Sequence, residues 1–185
     1  MSPDNGAAGA VLKGWMQGWR VTCRVCGGAI SDIWSDVDRA GATAFGRLEE
    51  EAAAGEAIVE AYASGRRSFP ISPATMMRLL LLRRRPTPQE LRERPEFQRR
   101  LIGTIIPEFD AIADEHGFHT AIGRSPVLPM VIRLRLLVGV AAVMKNPIEQ
   151  ISRLRQSRAF GPQFDRVLAQ DPIVTPDPIL QSRLT

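Results

Sequence analysis

Four times in this chain a short polar residue stands directly before a proline and ahead of a helix-compatible run: Ser72-Pro73, Thr87-Pro88, Ser125-Pro126 and Asn146-Pro147. Each pair is a helix start. The polar side chain accepts from the orphan amides of the first turn, while proline has no amide to leave unsatisfied there and its fixed φ already suits a helix. Glu90, three residues after Thr87, completes a capping box, and Asn146 with Glu149 repeats that spacing. Prolines so placed would interrupt a β-ladder, so the sequence predicts a mainly α fold.

Apolar periodicity fills in the elements. Residues 1–10, rich in small residues, read as a loose arm, and 11–21 as a short helix presenting Trp15, Met16 and Trp19. A helix from Asp36 or Asp38 to Ala63 carries Ala44, Phe45, Leu48, Ala52, Val59 and Tyr62 opposite Glu49, Glu50 and Glu51. A break is expected near Gly55, and Gly65 with Arg66 and Arg67 reads as the C-terminal stop. The run Met76 to Leu82 is apolar nearly all round and ends at Arg83-Arg84-Arg85-Pro86. A helix over about 96–106 would put Leu101 and Ile105 inward and Arg99 and Arg100 outward. Pro107 to His116 reads as helical and stops at Gly117.

The stretch from Ser125 to Met144 is the most apolar in the chain. Arg133, Arg135 and Pro129 within it would each be costly in lipid, which argues for a buried helix whose arginines reach the surface or a partner, with no membrane role. Residues 147–169 have helix-turn-helix dimensions, with Gln163, Asp165 and Arg166 as the polar readers of the second helix. The expected organisation is an arm and knuckle over 1–34, a helical domain over 35–170 and a flexible Pro-containing tail over 171–185.

Chemistry concentrates in the only two cysteines. Cys23 and Cys26, followed by Gly27 and Gly28, have the spacing of a zinc-knuckle-like β-turn or short hairpin that precedes the multi-helix domain. The glycines let the backbone curl under the sulfurs. Structural zinc takes four ligands, so this pair is half a site. His116 and His119 are the remaining candidate ligands, but their two-residue gap is shorter than the roughly three to five of familiar zinc sites, and an exposed loop explains them more simply. Two cysteines three positions apart build no disulfide framework, and the first residues do not read as a secretory signal, so the expected compartment is cytoplasmic. Glu49-Glu50-Glu51 and Asp110, Asp114 and Glu115 read as solvated helix faces rather than acid–base pairs, and no phosphate loop or nucleophile elbow occurs, so no enzyme is expected.

Charge divides the chain. Residues 1–65 hold five Lys/Arg against nine Asp/Glu, and residues 66–185 hold nineteen against eleven. A basic C-terminal part suits a polyanion such as DNA, although all but two of the 24 basic residues are Arg, which GC-rich coding also favours. Arg83, Arg84, Arg85, Arg99 and Arg100 are the candidate phosphate contacts. Set against this is a helical protein–protein module with a degenerate knuckle, using Met76, Met77 and the Val131–Met144 stretch against a partner or a second copy. A zinc- or redox-active enzyme is a third, weaker reading.

The pattern Trp15-x-x-x-Trp19-Arg20-x-Thr22-Cys23-x-x-Cys26-Gly27, followed by an acidic helix, an apolar helix and basic helices, resembles the C-terminal part of TniQ-family transposition proteins. The resemblance implies that Cys23 and Cys26 are the second half of a zinc site whose first Cys pair lies earlier in the family's chains. It also implies that Trp15 and Trp19 brace that site, and that this chain is a shortened or split member. Such proteins are not catalysts: they help choose the target by bridging DNA, or a DNA-bound complex, to the ATPase that recruits the transposase. DNA and a transposition ATPase or other protein are thus the partners implied.

Overall fold

The computed structural model describes residues 19–28, 30, 48–84, 86–93, 99–118, 128–156 and 162–173. Among them the protein is mainly helical: α1 (Glu49–Ala63), α2 (Pro73–Leu80), α3 (Pro88–Glu93), a 3₁₀ turn (Leu101–Thr104), α4 (Phe109–Glu115), α5 (Met130–Met144), α6 (Pro147–Gln156) and α7 (Pro162–Ala169).

The proline-led starts form as their local chemistry dictates. Ser72 Oγ accepts from the Thr75 amide at 3.1 Å. Thr87 Oγ1 accepts from the Glu90 amide at 3.2 Å while Glu90 Oε2 accepts from the Thr87 amide at 2.8 Å, a complete capping box. Asn146 Nδ2 donates to Glu149 at the head of α6. The Ser125-Pro126 start lies outside the described residues; α5 begins at Met130, with Pro129 at its N-cap instead of inside it.

Helix α5 is the hub. Its buried residues run all round it, from Met130, Ile132 and Leu134 through Leu136, Leu137 and Val140 to Val143, and α1, α2, α4 and α6 pack on it. A helix apolar on every face has to be enclosed. No helix among the described residues is long and apolar enough to cross a membrane. Arg133 corrects the expectation that both arginines of this helix reach outward: it is buried, with Nη1 donating to the Arg20 carbonyl at 2.6 Å and Nη2 to the Leu128 carbonyl at 3.0 Å.

Helix α1 does not break at Gly55. The glycine is where α1 and α5 touch: a Cβ built there would lie 2.1 Å from the Leu137 carbonyl oxygen. Its missing side chain lets two backbones approach, which offsets its poor helix propensity. Gly65, at φ +68°, ends the helix as the sequence predicts.

The expected helix over 96–106 is corrected over its described part. Residues 82–84 pair with 99–101: Arg84 donates from its amide to the Arg99 carbonyl at 2.8 Å, and Leu101 to the Leu82 carbonyl at 2.8 Å. A 3₁₀ turn follows. The cause is Asp110, whose carboxylate takes the Arg100 amide at 3.1 Å and Arg100 Nη1 at 3.0 Å and lies where any side chain at position 103 would stand. Asp110 is therefore not on the solvated helix face expected of it with Asp114 and Glu115; it is buried.

The domain limits of the sequence reading also shift. Val21 belongs to the same apolar core as α5, with Trp19 and Ile30 packed against it, so residues 19–30 are part of the helical body. At the other end Asp171 is fully buried and does not open a loose tail: Oδ2 accepts from the Ser72 hydroxyl at 2.7 Å and the Ser72 amide at 3.0 Å, and Oδ1 accepts from the Ile173 amide at 2.8 Å. Residues 174–185 lie outside the described residues.

Burial pushes the Asp171 carboxyl up, but hydrogen bonds from Thr75, Ser72 and Ile173 outweigh it and leave the group below its ordinary value. A carboxylate whose pKa is lowered by folding stabilises the folded state above its unfolded pKa and loses that contribution as pH falls through the folded one. Asp171→Asn is therefore expected to lower stability at pH 7 by about 1–3 kcal/mol, with the gap to the parent closing below about pH 4. Urea titrations at both pH values check this, and a gap that widens in acid contradicts it.

Candidate functional site

The two cysteines sit on a tight turn closed by three backbone hydrogen bonds. The Cys23 amide donates to the Gly28 carbonyl at 2.8 Å, the Gly27 amide to the Cys23 carbonyl at 2.8 Å, and the Ile30 amide to the Val21 carbonyl at 2.9 Å. Gly27 stands at φ +71°, which a residue with a side chain resists. Neither cysteine is in a disulfide; Cys23 is buried and Cys26 exposed, and a Cβ added at Gly28 would lie 3.4 Å from Cys26 Sγ.

What holds the turn is one buried carboxylate. Glu56 of α1 accepts at Oε2 from the Val21 amide at 3.3 Å, the Thr22 amide at 3.1 Å and the Thr22 hydroxyl at 2.9 Å, and at Oε1 from Arg20 Nη1 at 3.2 Å. Arg20 is itself buried and also reaches Glu60 at 2.5 Å. Glu60 pairs in addition with Arg24 on the turn. Partial burial pushes the Glu60 carboxyl up, and the Arg24 and Arg20 guanidiniums outweigh it and hold it below its usual range. From the far side Arg133 of α5 grips the Arg20 carbonyl. Two helices thus fix the turn by charge-assisted bonds inside the core, where such bonds are strong.

Trp19 is half-buried against the core ahead of the turn; Trp15, expected beside it, lies outside the described residues. His116 closes α4 as its C-cap, its amide donating to the Ile112 carbonyl at 3.0 Å, and His119 lies outside the described residues. Among the described residues no group of three or more His, Cys, Asp or Glu could hold a metal ion, so His116 is not brought to the cysteines.

The arginine candidates divide. Pairing of 82–84 with 99–101 brings Arg83, Arg84, Arg99 and Arg100 together. Arg83 is exposed, and Arg99 is exposed while its Nε lies 3.4 Å from Glu90 Oε1. Arg84 is half-buried and bonded to the same Glu90. The Thr87 amide, with the Arg84 guanidinium, holds the Glu90 carboxyl below its usual range against partial burial. Arg100 is corrected as a surface contact: it is 3% exposed, its guanidinium spent on Asp110 and on the Phe118 carbonyl at 2.5 Å. Arg85 lies outside the described residues.

Helices α6 and α7 are linked by Arg155 and Asp165 at 3.0 Å, which engages one of the three polar readers of α7; Gln163 and Arg166 remain exposed. Met76 is core, not a docking surface, and Met77 is half-buried.

Sequence reasoning missed Glu56 and Glu60. It also missed an open groove of about 810 Å³ lined by Arg20 and Thr22 together with Ala57, Arg66, Arg67 and Phe69. The Arg67 guanidinium lies 4.9 Å from the centroid of the Phe69 ring. The spacing of Glu56 and Glu60 by one helical turn was the available signal.

The chain matches no protein-family model, no curated protein and no solved structure.

Proposed function

We propose that this protein is a non-catalytic adaptor that binds the backbone of DNA and a protein partner, in the manner of the TniQ-like accessory proteins of transposition that its knuckle pattern resembles. The observation that carries the reading is the junction of 82–84 with 99–101, which brings Arg84 and Arg99 to the single carboxylate of Glu90, with exposed Arg83 next to Arg84 in the chain. Two guanidiniums on one carboxylate, with exposed Arg83 following Leu82 in the same pairing segment, leave a local excess of positive charge, and arginine is the residue suited to phosphate oxygens. Leu91, 46% exposed on the helix that carries Glu90, supplies an apolar contact for a protein partner next to that surface.

The test is salt-dependent binding of a fluorescent duplex. The parent protein is expected to bind at low salt and to lose affinity steeply as salt rises, because each phosphate neutralised releases condensed counterions. The double variant Arg83→Ala/Arg99→Ala is expected to flatten the log–log salt slope by about 2, whereas Arg166→Ala changes it by no more than about 1. Duplex and single strands both ignored at low salt remove the nucleic-acid role.

A further inference from the structure

We infer that the outer face of α1 is an interface on which a second copy of this chain docks antiparallel, the glutamates at the head of one helix meeting the arginines that follow the end of the other. The inference stands apart from DNA binding, since none of the residues it uses belongs to the junction of 82–84 with 99–101.

The groove beside the turn lies on this face, because Ala53, Ala54 and Ala61 of α1 line it as well. Glu50, Ala54, Ala57, Ala61 and Ser64 follow one another at alternating steps of four and three residues, which keeps them on one side of α1 and its C-cap. That side is turned from the core: Ala52, Gly55, Glu56 and Val59 are buried, whereas Ala53, Ala54 and Ala57 are exposed. A second helix can therefore approach to the short end of the roughly 8–10 Å range of packed helix pairs.

Charge selects the occupant. Glu49, Glu50 and Glu51 open α1, and Arg66 and Arg67 follow its end, all of them exposed. Among the described residues Arg66 Nε donates to the Ser64 hydroxyl at 2.8 Å and Arg67 stacks on Phe69, so neither meets a carboxylate. Glu56 and Glu60, which also line the groove, are engaged by Arg20 and Arg24 and do not cancel them. Both charged ends suit the dipole of α1, but the dipole does not account for the alanine face between them. A parallel pair would set like ends together. About a two-fold axis at Ala57, by contrast, Glu49 and Glu50 lie on one side and Arg66 on the other, each roughly 10–14 Å along the helix at 1.5 Å per residue, so every acidic end meets a basic one.

Sedimentation equilibrium of the full chain, from about 5 to about 500 µM and at low and high salt, tests this. A strip as long as the 15 residues of α1 and one helix wide, roughly 22 Å by 10 Å, buries less than the about 1,200 Å² at which standard interfaces begin. A reversible dimer that fills in over that concentration range and weakens with salt is the expected result. Ala57→Arg sets two guanidiniums against each other at the axis and is expected to weaken dimerisation about tenfold or more, with the helical circular dichroism unchanged because Ala57 is exposed. Arg66→Glu/Arg67→Glu and Glu49→Arg/Glu50→Arg are each expected to do the same alone, by bringing like charges together. Mixed, the two variants are expected to form a heterodimer, since opposite charges then face each other at both ends. A monomer at every concentration overturns the inference and leaves the face to a different protein. A dimer that Ala57→Arg does not weaken also overturns it, as do charge-reversed variants that stay monomeric when mixed.

Discussion

Gly55→Ala is expected to destabilise this protein by about 3 kcal/mol, and Gly55→Leu to leave no cooperative unfolding transition at 37 °C. In an ordinary helix interior the alanine change would stabilise by about 1 kcal/mol, so the sign itself is diagnostic. The reversal follows from what the new methyl group meets: the Leu137 carbonyl oxygen at 2.1 Å, its carbon at 2.7 Å and its Cα at 3.0 Å. These are backbone atoms in the middle of α5 and cannot swing aside as the end of a side chain can. The helices have to separate, and separation draws Ala52 and Val59 away from the core and pulls Glu56 off the turn it holds. Denaturant titration by circular dichroism measures the loss. Exposed Ala57→Ser, on the same helix, is expected to cost less than about 0.5 kcal/mol. A stabilised Gly55→Ala contradicts the close crossing. The thiols give a second readout, because loosening Glu56 should speed the reaction of buried Cys23 with a thiol reagent.

The contrast between Gly55 and Ser72 shows what a single sequence carries. Ser72-Pro73 and Thr87-Pro88-Gln89-Glu90 fold as read because each interaction closes within four residues, so spacing alone specifies it. Gly55 reads as a weakness in a helix because propensity is a local quantity; its meaning is set by Leu137, far along the chain. Arg133 reads as a cation needing an exit from an apolar helix, but its Nη1 and Nη2 donate to the Arg20 and Leu128 carbonyls, which no periodicity announces. At the candidate site the thiols and their glycines were legible as a spacing. The carboxylate that steadies them, Glu56, was not, since its partners, the Arg20 guanidinium with two backbone amides and a hydroxyl of residues 21 and 22, lie more than thirty residues away in sequence. A helical period extended through 96–106 puts Arg99 and Arg100 on one outward face; in the extended backbone of 99–100 they part, Arg99 to solvent and Arg100 to the core.

That parting underlies the second large effect. Asp110→Ala is expected to destabilise the protein by about 3–5 kcal/mol, because it strands a guanidinium that is 3% exposed without its counter-charge. Asp110 Oδ1 lies 3.0 Å from Arg100 Nη1, and the same carboxylate takes the Arg100 amide, so the substitution removes an ion pair and a buried backbone acceptor together. What remains to Arg100 is the Phe118 carbonyl and the face of the Phe118 ring 5.5 Å away, neither of which neutralises it. Truncating both partners should be milder than truncating one: Arg100→Met/Asp110→Ala is expected to recover part of the loss, since the remaining penalty is then chiefly a cavity and one unsatisfied amide. Denaturant midpoints of the two single variants and the double variant form the cycle that measures this. An Asp110→Ala loss below about 1 kcal/mol would mean the pair is hydrated and not part of the core. The pair also reaches the surface chemistry, because Arg100 is the residue through which 99–101 is pinned beside 82–84. If Asp110→Ala folds at low temperature, it should weaken DNA binding with no change to Arg83, Arg84 or Arg99 themselves. That outcome separates a basic surface assembled by this junction from one that merely follows from arginine content.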